Sequence, residues 1–415
     1  MQEARGKKSA RLLAEATARD SYSKLVAYLA VHTRDVAAAE DALSDAFAKA
    51  LTEWPEKGCP THPEAWLLTV ARRRAIDVAR RQVRGIEVER QLKTLSQLGT
   101  EEVSDIPDRR LGLLFACTHP AIEPGIRAPL MLQVILGLKA ATIASAFLIA
   151  PSTMNQRLVR AKNKLRQAGI PFQVPDKKEL PQRLDTVLDA IYASYSEGWN
   201  DPAGTDMTRR GLTSEALFLV SMICELMPDQ PEALGLLALM LHTEARRSAR
   251  RSNDGAYVPL NEQDPDLWDS VLINKAETVL KQARTPGKIG RFQIEAALQS
   301  AHVVGRLKGI NNWPVIKDLY DALYELTQSP VVGVNRTLAV AEVEGNNAAL
   351  AILDELAENR QMTEYQPYWA MRAELLTRQG DFGQASHAYQ VAIGLERDPA
   401  VRKFLRQKQS TCVAE

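Results

Sequence analysis

From about Leu12 to Arg84, apolar residues recur every three to four positions in a stretch rich in alanine and leucine and nearly free of glycine. That period predicts helices throughout. Within AWLLTVARRRAIDVARRQVR, Ala65 to Arg84, Leu67, Ala71, Ala75 and Val78 share one side of a helix. At about 100° per residue, Trp66, Arg73, Asp77, Arg80 and Arg84 share the other. The preceding segment, VAAAEDALSDAFAKAL from Val36 to Leu51, puts Leu43, Phe47, Ala50 and Leu51 on a packing face with Glu40, Asp41 and Asp45 among them. Between the two, WPEKGCPTHPEAW, Trp54 to Trp66, reads as a loop, with Pro63 suited to the first turn of the basic helix.

Gly85 to Pro107 is polar and mixed in charge with no sustained apolar period, and it reads as a linker, residues 85–107, between helical domains at 10–84 and 108–168. In the second block a short helix through Ile143 and Phe147 meets a turn at Ile149 to Pro151. A new helix then opens with Ser152 or Thr153 as its cap. Two helices joined in this way form a helix-turn-helix, whose second helix enters the major groove with its N-terminal residues at the base edges. Met154, Leu158, Ala161 and Leu165 form its buried stripe; Asn155, Gln156, Val159, Arg160 and Asn163 point away, flanked by Arg157, Lys162 and Lys164. Amides pair with adenine edges and a valine touches a thymine methyl, while arginines and lysines hold phosphates.

The remaining half begins with a proline-punctuated connection, residues 169–184, followed by a helix through Leu188 and Tyr192. Beyond it a loose helical repeat fills residues 185–415. Tyr368 to Pro399 places small residues and glycine where two helices cross, then alanine and tyrosine, then a closing proline, a spacing that resembles a tetratricopeptide repeat of about 34 residues. Asn335 to Glu358 repeats it around Gly345, and Gln293 to Pro330 follows with Trp313 and Tyr320 in its second helix. Such arrays stack into a curved surface with a concave binding face. Gly290 to His302 and Tyr365 to Leu376 are aromatic and polar enough to be weak candidates for a ligand or partner surface, with core packing as the plainer explanation.

Composition then narrows the class. The chain of 415 residues is 45% hydrophobic and 25% charged, in the ordinary range of globular proteins, and long enough for two or three domains. Its formal net charge is only +1, yet Ala65 to Arg84 carries six arginines against one aspartate. The positive charge is therefore placed, and an aromatic in line with it suits flat groups stacking beside phosphates. No apolar run is long enough to span a bilayer and the first residues lack a signal-peptide core, so a cytoplasmic protein without membrane contact is expected. Cys59, Cys117, Cys224 and Cys412 form no C-x-x-C pair, which argues for reduced structural thiols. No P-loop, dinucleotide fingerprint, nucleophile elbow or H-E-x-x-H motif occurs, and the six histidines are isolated in sequence; neither an enzyme, a metal nor a cofactor is expected. The run RRSARR, Arg246 to Arg251, is a second basic cluster that reads as a solvated helix end, with contact to DNA or polymerase as the less favoured alternative. Composition alone leaves Glu40, Asp41 and Asp45 open between acids favoured by a helix dipole and a docking patch.

Taken together, three motifs in order resemble the RNA polymerase sigma factors of the extracytoplasmic-function group. RDVAAAEDALSDAFAKAL is similar to the region-two helix that docks on the clamp of the polymerase beta-prime subunit. PEAWLLTVARRRAIDVARR resembles the part that opens and reads the minus-ten element, and PSTMNQRLVRAKNKLR the region-four recognition helix for the minus-thirty-five element. The resemblance implies an all-α protein of two small sigma domains followed by a tetratricopeptide-like extension, as in a subfamily where that extension is thought to stand in for an anti-sigma protein. It implies core polymerase, at its beta-prime clamp and beta flap, as a partner, with Asp35, Glu40, Asp41 and Asp45 as candidate polymerase contacts. Trp66, Arg73, Asp77, Arg80, Arg81 and Arg84 become candidates for minus-ten DNA. Ser152, Thr153, Asn155, Gln156, Arg157, Val159, Arg160, Lys162 and Lys164 become candidates for minus-thirty-five DNA. Family recognition helices often carry a basic residue where Asn155 stands, so the promoter sequence differs rather than the role. Two other functions fit the residues: a helix-turn-helix regulator that works without polymerase, and a repeat-based scaffold or sensor whose sigma domains are vestigial.

Overall fold

The computed structural model describes residues 2–82, 108–147, 149–199, 207–284 and 289–414. Among them every regular element is helical, as the apolar period requires, apart from one isolated bridge between Arg251 and Tyr257. The linker expected at 85–107 lies outside the described residues. The chain divides into two compact units, one of residues 1–198 with 211–216, the other of 199–210 with 217–415.

The first unit opens with α1 (Gln2–Thr33), α2 (Val36–Lys57) and α3 (Pro63–Gln82), which pack on one another. Asp35 caps α2, its carboxylate accepting from the Ala38 amide at 3.2 Å. The buried stripe of α2 runs Val36, Ala39, Ala42, Leu43, Ala46, Ala50, Trp54, so its alanines let α1 and α3 approach closely. Leu51, expected on this face, is 50% exposed, because a stripe stepping from Ala46 through Ala50 to Trp54 turns Leu51 about 100° away. Nor does the loop begin at Trp54. The helix continues through Pro55 to Lys57, and Trp54 lies buried, edge-to-face on Trp66 at 5.4 Å between ring centres. Burial of that indole outweighs the one backbone bond that Pro55 forgoes.

Four further helices follow, α4 (Arg110–Cys117), α5 (Pro124–Leu136), α6 (Ala140–Ala146) and α7 (Pro151–Gln167). The two helices expected on either side of the turn at Ile149 to Pro151 are α6 and α7, which pack on each other, with Met154, Leu158, Ala161 and Leu165 buried. Its cap is neither Ser152 nor Thr153. Ala150 occupies that position without a side-chain bond, and Pro151 at the first helical position, its φ preset by the ring, starts the helix instead.

The two blocks are not separate bodies. α1 also packs on α4 and α5, and the Tyr22 ring lies over Gly137, where a Cβ would stand 2.9 Å from it. Gly137 ends α5 in the left-handed region at φ 67°, which glycine adopts without strain. α8 (Leu180–Trp199) starts inside the connection expected at 169–184, and Arg183 donates to the Phe115 carbonyl. The boundary between units therefore falls about one helix later than the proline pattern suggests.

In the second unit, reached through α9 (Met207–Leu226), α10 (Pro231–Ala245) is buried on nearly every side and touches α11 (Ser270–Gln282) and α12 (Arg291–Lys308). Helix pairs follow: α12 with α13 (Trp313–Thr327), α14 (Pro330–Glu344) with α15 (Asn346–Leu356), α16 (Gln366–Gln379) with α17 (Phe382–Leu395), and α18 (Pro399–Ala414) closes the series. Each pair has its own cluster, such as Ala373, Ala385, Ala388, Tyr389 and Ala392 between α16 and α17. These pairs occupy the three stretches Gln293 to Pro330, Asn335 to Glu358 and Tyr368 to Pro399 singled out in the sequence.

The aromatic, polar stretch Gly290 to His302 is a packing device. Glu232 on α10 accepts from the amides of Phe292 and Gln293 at 3.0 and 3.2 Å, and Phe292, Ile294, Ala296 and Leu298 are buried. Tyr365 to Leu376 likewise buries Tyr368, Ala373, Leu375 and Leu376. The run RRSARR is no solvated helix end. Arg246 bonds Gln299, Arg247 pairs with Glu244, Arg251 pairs with Asp398, and Arg250 lies over the Trp199 ring at 4.2 Å.

Candidate nucleic-acid interface

On α3 the buried stripe holds Leu67, Leu68, Ala71 and Ala75, and the opposite face carries the charge. Arg73 and Asp77 are exposed, while Trp66 is half-buried with its edge contact to Trp54. Three consecutive arginines have three surroundings. Arg72 is buried, donating to the Tyr28 hydroxyl at 2.6 Å with its guanidinium 5.1 Å from the same ring centre. Arg73 faces solvent, and Arg74 pairs with Asp45 on α2 at 2.5 Å. Arg80 and Arg81 stand on the last turns of α3, their side chains outside the described residues, and Arg84 lies outside them altogether.

On α7 Ser152, Thr153, Asn155, Gln156, Arg157, Val159, Arg160 and Lys164 are exposed, so the amides and the valine stand together at the open end of the helix. Val159, 49% exposed, is an apolar group held in water, which is what contact with a base methyl requires. Lys162 behaves differently. Its ammonium meets Glu40 of α2 at 2.5 Å, both side chains about 15% exposed. One turn on, Arg166 pairs with Asp35 at 3.1 Å. Burial pushes the Glu40 carboxyl above its ordinary range while Lys162 pulls it back, and burial raises the nearby Tyr22 hydroxyl and Cys117 thiol. Asp41 remains exposed, as does Asp45 beside its arginine.

The structure thus brings the acids of α2 to two basic groups, Arg74 of α3 on one flank and Lys162 with Arg166 of α7 on the other. Arg166, Arg72 and Tyr28 were not singled out by sequence pattern. Arg166 had a local signal, since it lies four residues after Lys162 on one helix face; Tyr28 and Arg72, 44 residues apart, had none.

Among the described residues no group of three or more histidine, cysteine, aspartate and glutamate side chains could hold a metal, and no helix is long and apolar enough to cross a membrane. The four cysteines are free, with Cys59 exposed and Cys117 and Cys412 buried.

Residues 18–85, which span the second half of α1 and all of α2 and α3, match sigma-70 region 2. Residues 183–284 match a family of unknown function, DUF6596. An uncharacterised protein of Rhizobium meliloti (strain 1021) is 35% identical over 391 residues, 92% of each chain, so the likeness runs through both units. No solved structure matches. With its helices, acids and arginines in the places just described, residues 18–85 form a sigma-70 region 2, and over nearly its whole length the chain belongs to one family with the Rhizobium meliloti protein.

Proposed function

We propose that the protein is a sigma factor of the extracytoplasmic-function group, which directs core RNA polymerase to particular promoters. The observation that carries the proposal is the coincidence, in one chain, of sigma-70 region 2 over residues 18–85 and a further helix pair, α6 and α7, whose second helix exposes Asn155, Gln156 and Val159. In this reading Asp35, Glu40, Asp41 and Asp45 face the polymerase beta-prime clamp, and the helix-turn-helix block meets the beta flap. Trp66, Arg73 and Asp77, with Arg80, Arg81 and Arg84, take the opened minus-ten strand. Flipping a base out costs a few kcal/mol, offset by stacking on an aromatic and by phosphate contacts. Asn155, Gln156, Val159 and Arg160 read the minus-thirty-five element, while Arg157 and Lys164 hold its phosphates.

The protein performs no covalent chemistry in this role, binds no cofactor, and works in the cytoplasm on the nucleoid. The helix pairs of the second unit form a tetratricopeptide-like array that regulates the sigma domains or receives a protein or ligand partner. Beside α12 that unit has a cavity of about 710 Å³ lined by Leu280, Ile289, Ile294, Val315 and Leu319, a mostly apolar surface of the kind such arrays offer.

Run-off transcription with purified core polymerase, on templates chosen by mapping transcript 5′ ends after overexpression, tests the proposal. Promoter-dependent transcripts are expected with the full chain. DNA binding without any such transcript would point to a regulator that works without polymerase.

A further inference from the structure

α11 and α12 follow one another in sequence but are held apart. Both pack on α10, and they touch each other at only a few positions. The cause lies on α10, where Gly235 lets the α12 backbone approach closely and Glu232 accepts from the Phe292 and Gln293 amides. With α12 drawn onto α10, a cleft stays open between it and α11, walled on its further side by α13. This is the cavity of about 710 Å³, a size within the range of small-molecule pockets.

The polar side chains of the cleft are occupied by the fold. Ser300 donates to Glu277 across it at 2.5 Å, with Nε2 of the buried His242 ring 3.4 Å from the same oxygen. Gln293 donates to the Ala283 carbonyl and accepts from the Gly290 amide, and Asn312 donates to the Ala301 carbonyl. What remains for a ligand is hydrocarbon, from Leu280, Ile289, Ile294, Val315 and Leu319, and two cations, Lys281 and Arg284. Ile289 and Val315 are 74% and 53% exposed, branched apolar side chains left in water at the edge of a concave surface. Lys281 and Arg284, four and seven residues after Glu277, are both exposed, and no carboxylate among the described residues pairs with either. Cations at a helix C-terminus are common. These two also border an apolar cleft, and that combination selects the ligand.

We propose that the cleft binds a single-chain amphipathic acid, its alkyl chain inserted between α11 and α12 and its anionic head held by Lys281 and Arg284 at the mouth. The orientation follows from charge. Glu277, at the inner end beside His242, repels an anion, and a head buried there would lose its hydration. The chain therefore enters first and the head stays in water beside the cations. The inference rests on the reading of the second unit as an array that receives a ligand, and not on promoter recognition.

Calorimetric titration of the full chain with octanoate, decanoate and dodecanoate, each below its micelle concentration, tests the site. Affinity should rise about fourfold per methylene. Decanol, which has the chain without the charge, should bind about three- to tenfold more weakly than decanoate, because exposed cations hold an anion only modestly. Replacing both cations, Lys281→Ala with Arg284→Ala, should abolish that preference: the acid then binds no better than the alcohol, while the dependence on chain length persists. Val315→Glu, at an exposed wall position, should weaken acid and alcohol alike. No binding of dodecanoate, an affinity independent of chain length, or equal binding of acid and alcohol by the wild-type chain overturns the proposal. So does binding to anionic phospholipid vesicles without binding to the monomeric acid. The readout is independent of transcription: a chain that binds the acid yet gives no promoter-dependent transcript loses the sigma-factor reading and keeps this site, and the reverse result loses only the site.

Discussion

Arg72 and Arg73 are adjacent in the sequence, yet one is a strut of the fold and the other a free cation. Period alone put Arg73 on the outer face and left Arg72 undescribed, because its fate depends on Tyr28, on another helix. Tyr28→Phe keeps the ring beneath the guanidinium but removes an acceptor from a buried charge, and should cost about 1–3 kcal/mol in urea unfolding. Arg157, exposed on α7, has no such structural duty. Arg157→Ala should leave stability unchanged while lowering the slope of log affinity against log salt for promoter DNA by about 1. An unchanged slope would remove Arg157 from the phosphate contacts. Lys162 shows what residue-level reading leaves out: its place in a basic run suggests a phosphate, and only the fold reveals a carboxylate 122 positions away.

At the scale of elements, the long helices were legible because period, proline and glycine agree. Pro63 and Pro151 each stand at the start of a helix, and the repeat pattern around Gly345 and Gly380 marks the turns of two helix pairs. Where those signals conflict, burial decides. Pro55 argued for a loop and Trp54 for a core, and the tryptophan prevailed. A close approach between elements left only a faint trace. Gly235 on α10 lies so near α12 that a Cβ would stand 2.7 Å from the Gln293 nitrogen, a backbone atom that cannot step aside. Gly235→Ala should therefore destabilise the second unit by about 1–3 kcal/mol or more, read as an earlier denaturation midpoint. The same change at Gly394, where a Cβ meets nothing within 4 Å, should cost far less.

For the whole molecule, the all-helical class and the region 2 near its start were legible, while the packing of residues 108–167 with the first three helices in one compact unit was not. Long-range charge pairing has no local pattern for sequence reading to detect. The second unit carries a pH dependence of its own. Burial lowers His242 and His302 to about 4 each, against 6.5 in an unfolded chain. Both folded values are depressed, so the unfolded chain binds more protons between pH 6.5 and 4, and stability falls as pH drops through that window. At pH 5 the loss should be on the order of 2 kcal/mol per histidine relative to pH 7. Denaturation at the two pH values checks this, and His302→Gln should roughly halve the difference.

The carboxylates that grip Lys162 and Arg166 also bear on how the protein searches a genome. Two cations spent inside the chain are two fewer for duplex of arbitrary sequence, which by counterion release flattens the salt slope of non-specific binding by about 1.8. A genome offers about a million or more such competing sites, so even a modest loss of affinity for each leaves more molecules in free solution. A chain that keeps its positive charge partly to itself stays available to polymerase instead of being adsorbed along the chromosome.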